Sequence, residues 1–247
     1  MFPFREGVRV STTVPGNHDI GLGDGIRPER LKRFISHFSS SNSTSETWEI
    51  CNTELIFLDT PSLLNTQDPS IYESPLSFLD NLPAPREVIP RILFTHIPLY
   101  RPPDTDCGEY RESNRPIQYG GGYQYQNTMS EEMSNKILNA TWPLSVIFTG
   151  DDHDYCRVEH TLEGRQETVP EYTVKSFSMA MVSILLAKTN VGRQISWVPS
   201  LVIGRSRSWR ITCLRNAIMS PSLSDRCIHS LWRYDSDINH MDLSYTL

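Results

Sequence analysis

Three short polar segments hold the residues able to do chemistry: Gly16-Asn17-His18-Asp19, Thr95-His96-Ile97-Pro98 and Gly150-Asp151-Asp152-His153-Asp154. Asn17 offers an amide oxygen, a hard neutral donor to a divalent cation. His18 can hand a proton to a departing oxygen, and Asp19 beside it can hold that imidazole in one tautomer. His96 can bind a metal through a ring nitrogen. Asp151 and His153 stand two apart, so both can reach one ion from a turn. Crowding Asp151, Asp152 and Asp154 around one histidine at a strand end is costly without a cation. Each segment alone also has a plain structural reading: an Asx turn with a surface histidine, a satisfied core histidine, and a solvated acidic loop. Their combination points to metal-assisted chemistry.

The elements that must position these segments are short strands ending at them, the usual place for a site in an open α/β sheet. Val8–Val14 reads as a strand running into Pro15-Gly16. Arg91–His96 reads as a buried strand ending on its histidine, and Leu144–Thr149 as another that breaks at Gly150. Trp48–Ile50 and Glu54–Asp59 read as paired strands about Asn52-Thr53. Tyr155–Thr161 and Glu171–Ser176 read as a hairpin. Pro28–Phe38 is predicted to be a helix with Pro28 in its first turn and Leu31, Phe34, Ile35 and Phe38 on one face. Thr128-x-x-Glu131 resembles a capping box opening a helix to about Asn139, with Met129, Met133 and Ile137 on one side. Ser39–Thr47 and Pro98–Asn127 read as loops, the second long enough to suggest function or disorder. Strands alternating with helices predict an α/β sandwich.

Composition narrows the function. The chain has 247 residues, net charge −6 and pI about 5.6, which leaves no basic footprint for nucleic acid. No apolar run reaches the ~18 residues that a membrane span needs. The five cysteines form no CxxC pair, so a finger-type zinc site is not expected. They read either as buried or free thiols or, since Asn42-Ser-Thr and Asn139-Ala-Thr are glycosylation sequons of the secretory pathway, with Cys107 and Cys156 paired.

The segments PGNHD, THIPLYRP and FTGDDHDYC resemble those of the calcineurin-like metallophosphoesterases. GYQYQN (122–127) and EYTVKSFSMAM (171–181) extend the likeness to the fungal membrane-bound branch that remodels ethanolamine-phosphate on GPI anchors. The resemblance runs over about residues 8–181. It implies a four-layer αββα sandwich, two β-sheets flanked by helices, holding two divalent ions, manganese first, with zinc or iron as alternatives. Carried over by position, Asn17, His96 and Asp151 stand as ligands of the second metal and His153 of the first. Asp151 replaces the first histidine of the usual GHxH. His18 stands as general acid with Asp19 orienting it, for in-line displacement at phosphorus with the charge shared between two ions. The implied substrate is a glycolipid-linked phosphate ester. The implied setting is the endoplasmic reticulum membrane with the catalytic domain in the lumen, serving ER-to-Golgi transport. The membrane helices of that branch are not among these residues.

Two family segments are not found in the sequence: the Asp-x-His or Asp-x-Gln after the first strand, and GDxxD, whose first aspartate bridges the metals. Gly23-Asp24-Gly25-Ile26 follows GNHD and cannot serve. The expected domain is therefore a partial metallophosphoesterase fold over 1–181, missing its first strand-helix units. A catalytically inactive fragment or interaction protein is the alternative to the enzyme. Residues 182–247 show little periodicity and read as an irregular tail, either an extension or the product of read-through or a frame shift. Tyr119, Tyr123 and Tyr125 read either as packing or as the lining of a glycan pocket.

Overall fold

The computed structural model describes residues 11–39, 41–50, 52–86, 89–113, 117, 128–162 and 164–176, together with the backbone of 182–191, 194–203 and 211–212. The chain divides into two compact units, Met1–Ala180 and Met181–Leu247.

The first unit is built on a six-stranded mixed sheet. Its strands are β1 (Glu46–Glu49), β2 (Glu54–Leu58), β3 (Arg91–Thr95), β4 (Leu144–Thr149), β5 (Cys156–Thr161) and β6 (Thr168–Thr173), in the spatial order β1-β2-β3-β4-β6-β5. The four central strands β2, β3, β4 and β6 run parallel, and the edge strands β1 and β5 are antiparallel to their neighbours. All five residues of β2 are buried, as expected of a central strand covered on both faces. Helices α1 (Asn17–Ile20), α2 (Pro28–Phe38), α3 (Thr60–Leu63), α4 (Pro69–Asp80) and α5 (Glu131–Thr141) complete it. The chain is thus a mixed α/β fold with a helix-flanked sheet, consistent with a calcineurin-like metallophosphoesterase.

One sheet face packs Ile56, Leu58, Leu93, Ile147 and Val169 against Leu79 of α4 and Ile137 and Leu138 of α5. Each such side chain taken out of water contributes about 1.5–3 kcal/mol. The other face carries an aromatic ladder along the register Phe57, Phe94, Phe148, Tyr172. Ring centroids are 5.1, 5.5 and 5.9 Å apart, and the rings are stacked. Pairs of this kind add about 0.5–1.5 kcal/mol each beyond their buried area.

The helix over Pro28–Phe38 has the expected bounds, with Pro28 in its first turn. Leu31 and Phe34 are buried with Ile20, Ile26 and Ile71, and Ile35 packs against them. Phe38, expected on the same face, remains 49% exposed. Several expectations need correction. Ser11–Val14 lie in no strand, and residues 8–10 lie outside the described residues. The N-cap of α5 is Ser130, whose Oγ accepts from the Met133 N–H, rather than Thr128, which is buried two residues earlier. The second strand of the hairpin starts at Thr168 rather than Glu171. No element is assigned from the sequence between Asp59 and Arg91, a stretch that holds Pro61, Pro69 and Pro75 and forms α3 and α4. Pro61 and Pro69 sit in first turns, and Asp59 and Asp68 cap the two helices. Asp24 of the excluded Gly-Asp-Gly accepts from the Thr66 N–H and hydroxyl and so ties two loops together.

Residues Val182–Val191 and Gln194–Ile203, read as part of an irregular tail, pair as antiparallel strands β7 and β8, and Ile211–Thr212 (β9) lies parallel to β7. Cys107 and Cys156, whose pairing is one of the two open readings of the sequence, form a disulfide. Tyr119, Tyr123 and Tyr125 lie outside the described residues.

The ends of the central strands are joined by Glu171, which is completely buried. Its carboxylate accepts from Arg101 Nη2 at 2.5 Å, Thr149 Oγ1 at 2.9 Å and the Leu99 N–H at 3.3 Å, and lies 2.6 Å from His160 Nε2. Burial alone would raise its pKa, but Arg101 and His160 more than offset that and hold it below the ordinary 4.5. Its stabilising contribution is therefore present above pH 4.5 and lost as pH falls through the lower folded value. Glu171→Gln should cost roughly 3–5 kcal/mol by leaving Arg101 buried without its anion. Urea unfolding will check this: the wild-type midpoint should fall on acidification below about pH 4.5, and the variant should show a flatter profile.

Candidate metal centre

His96 follows the last residue of β3, and Gly150-Asp151 follow the last residue of the neighbouring β4. The parallel pairing of these strands puts the two exits side by side, and the Gly150 N–H donates to the His96 carbonyl at 2.9 Å. Asn17 opens α1, whose Ile20 is anchored in the apolar cluster with Leu31 and Phe34.

Three of the expected residues meet. Asn17 Nδ2 donates to Asp151 Oδ1 at 2.8 Å. His96 Nε2 lies 3.2 Å from Asn17 Oδ1 and 3.4 Å from Asp151 Oδ1. The His96 imidazole passes between two glycine backbones. A Cβ on Gly16 would stand 3.2 Å from its Cε1, and one on Gly150 would stand 3.3 Å from its Nδ1. Any other residue at either position would have to push the ring aside, so these glycines serve close approach rather than an unusual φ.

Asp151 is aimed by a three-residue turn. Its φ is +63°, and the Asp152 N–H donates back to the Gly150 carbonyl at 2.8 Å. His153 also has positive φ, +65°. Such conformations cost on the order of 1–3 kcal/mol each and persist where the surroundings impose them. Near-parallel His153 and His18 rings have centroids 6.5 Å apart, so His18 stands on the His153 side of the cluster. Asp19 Oδ2 accepts from the Gly16 N–H at 2.8 Å and so fixes the turn into α1.

The other two carboxylates of the acidic segment hold a loop. Asp152 pairs with Arg111 at 2.5 Å, and its pKa is raised because burial outweighs that pairing. Burial also acts to raise the Asp154 pKa, but the N–H groups of Ser113, Tyr155 and Glu112 outweigh it and hold the pKa low. Of the three carboxylates, Asp151 faces the cluster, while Asp152 and Asp154 bind residues 111–113.

Sequence reasoning passed over Glu171, Arg101 and Asp59. An acidic residue inside the strand-like run EYTV was the available signal for Glu171. Asp59 directly follows β2, is fully buried, and has a raised pKa through desolvation, with His96 among the opposing charges.

The donor set fits a divalent cation. An amide oxygen, an imidazole nitrogen and a carboxylate oxygen are all suitable ligands. Neighbouring donors on one octahedral ion, each about 2.1 Å from it, stand roughly 3 Å apart, close to the 3.2 and 3.4 Å from His96 Nε2 to Asn17 Oδ1 and Asp151 Oδ1. Among the described residues no group of three His, Cys, Asp or Glu side chains is arranged for a metal, and the cluster here depends on an asparagine. Gly150→Ala should displace the imidazole and weaken manganese affinity by roughly tenfold with little change in melting temperature. Titration of manganese into both proteins will measure this.

No family model matches the chain. It is 39% identical over 184 residues to Cell division control protein 1 of Saccharomyces cerevisiae, covering 73% of this chain and 37% of that protein. It is 27% identical over 198 residues to Metallophosphoesterase 1 homolog of Caenorhabditis elegans, covering 77% and 53%. Metallophosphoesterase 1 of Cricetulus griseus is 30% identical over 202 residues, covering 71% and 47%. The chain spans between about a third and a half of the length of these relatives.

Proposed function

From the premise that this chain is a homologue of the calcineurin-like metallophosphoesterases, we propose that it hydrolyses a phosphate ester with the help of divalent metal ions. The observation that carries this reading is the meeting of Asn17, His96 and Asp151 at the ends of separate elements. Asn17, His96 and Asp151 would hold one ion, and His153 would approach a second. Bound ions would supply Lewis-acid polarisation of the phosphoryl group and neutralise its charge.

The chain's own residues do the rest. Asp151 and Asn17 set the orientation of His96 through the 3.4 and 3.2 Å contacts. Gly16 and Gly150 keep the space around that ring open. His18 holds a proton at the edge of the cluster and delivers it to the departing oxygen. Asp19 fixes the α1 turn that presents His18.

The finer reading is a glycolipid-linked phosphodiester, the ethanolamine-phosphate of a GPI anchor, with manganese as the metal and the endoplasmic reticulum lumen as the compartment. The motif resemblance supports the substrate. The Cys107–Cys156 disulfide supports an oxidising compartment, as does the exposed sequon residue Asn42. Among the described residues no helix is long and apolar enough to cross a membrane.

Hydrolysis of bis(p-nitrophenyl) phosphate and of an alkyl phosphodiester, each with manganese, zinc or EDTA, tests the proposal. Manganese-dependent turnover is expected. His18→Asn should lower kcat on the alkyl ester by about 10²–10⁴, and less on the p-nitrophenyl ester, whose leaving group needs no proton. Asp151→Asn should instead raise the manganese concentration required. Absence of metal-dependent turnover would leave the inactive-homologue reading in place.

A further inference from the structure

We propose that the cleft between α1 and α2 binds an anionic group carried by the leaving-group side of the substrate, with Arg33 as its anchor. The assignment to the leaving-group side rests on the reading of His18 as proton donor; the anion site itself does not.

The cleft has a volume of about 190 Å³ and is lined by His18, Asp19, Arg33, Phe34, His37 and Phe38. A bond broken at the metal cluster with His18 protonating the departing oxygen leaves the departing group beside His18, and this cleft is the space that opens there. Arg33 and His37 are one turn apart on α2, as are Phe34 and Phe38, so the wall presents a polar stripe beside an aromatic one. The Phe34 and Phe38 centroids are 5.0 Å apart. Among the described residues, Phe38 and Tyr110 are the large hydrophobic side chains left exposed, Phe38 at 49%.

The charge of this wall runs against that of the molecule. The chain carries a net −6, yet residues 27–38 hold Arg27, Arg30, Lys32 and Arg33 against Glu29 alone. Glu29 stands one turn before Arg33, the spacing for an ion pair. Even so, Arg33 takes part in none of the ion pairs among the described residues. The carboxylate that faces the cleft, Asp19, is turned through Oδ2 to the Gly16 N–H. A guanidinium left without a protein anion beside a half-exposed ring matches a phosphate borne on a small carbon skeleton: two parallel N–H donors for the phosphate oxygens and an apolar shelf for the carbons. The ligand class is therefore a phosphorylated alcohol or sugar, either free or as part of a lipid headgroup.

The test uses the full chain in EDTA, so that the metal cluster cannot hold phosphate, with inorganic phosphate, glycerol 3-phosphate and vesicles containing phosphatidylglycerol as separate probes. Glycerol 3-phosphate should bind more tightly than inorganic phosphate. Arg33→Gln should weaken both by on the order of tenfold, and Phe38→Ser should remove the preference between them. Vesicle binding that depends on Arg33 would identify a headgroup as the source; its absence, with soluble probes still bound, would identify a free phosphate ester. Lys32→Gln, on the same helix but outside the cleft, should change affinity less than about twofold at physiological salt. Because Arg33 is exposed, unchanged melting of Arg33→Gln will establish that it folds. Equal affinity of wild type and Arg33→Gln, or no binding of either soluble probe by wild type, overturns the proposal. Turnover of bis(p-nitrophenyl) phosphate with manganese is scored separately, so failure of the hydrolase reading and failure of the anion site are distinguishable.

Discussion

A carboxylate taken out of water costs several kcal/mol unless its lone pairs are filled by donors of matching charge. Glu171 is fully buried, and its partners come from the segment after β3, from β4 and from β5. Those partners flank the residues of the candidate metal site: His96 precedes Leu99 and Arg101 by a few residues, and Thr149 stands directly before Gly150. Positions at the cluster are therefore set by a polar joint one layer below it, where displacement of any partner exposes an unpaired charge.

Above that joint the limiting factor is space. Two chain segments approach the His96 imidazole so closely that each passes it as glycine. The polar atoms of Asn17, His96 and Asp151 are brought within 3.4 Å of one another by strand pairing, by the anchoring of α1 and by a strained turn at Asp151. A lone strained turn could be incidental; strain combined with converging donors of three chemical types matches a cation site.

The two sides of the cluster differ in character. Toward the loop after β4, Asp152 and Asp154 hold residues 111–113 through Arg111 and the backbone N–H groups of Glu112 and Ser113. Toward α2 the wall is basic and aromatic, with Arg33 in no ion pair among the described residues. An asymmetry of this kind is compatible with the proposed reaction, in which the departing group would leave past His18.

The sequence alone determined which residue types were available and which local elements would form. Pro28 with an apolar spacing set α2, and the apolar runs before His96 and Gly150 set β3 and β4, because those signals are local and depend only on backbone preference and burial. It also carried the candidate ligands, since Asn17, His96, Asp151 and His153 sit in short recognisable segments. Tertiary structure decided which carboxylates face the cluster. Asp151 and Asp152 are neighbours of identical chemistry, and only the turn geometry and the position of Arg111 separate their roles. Tertiary structure likewise decided that Asp59 and Asp68 would turn proline-rich stretches into helices, and that Glu171 would take its partners from across the sheet. Those outcomes depend on contacts between residues tens of positions apart, whose free energy arises from burial and pairing in the assembled fold and has no counterpart in local sequence preference.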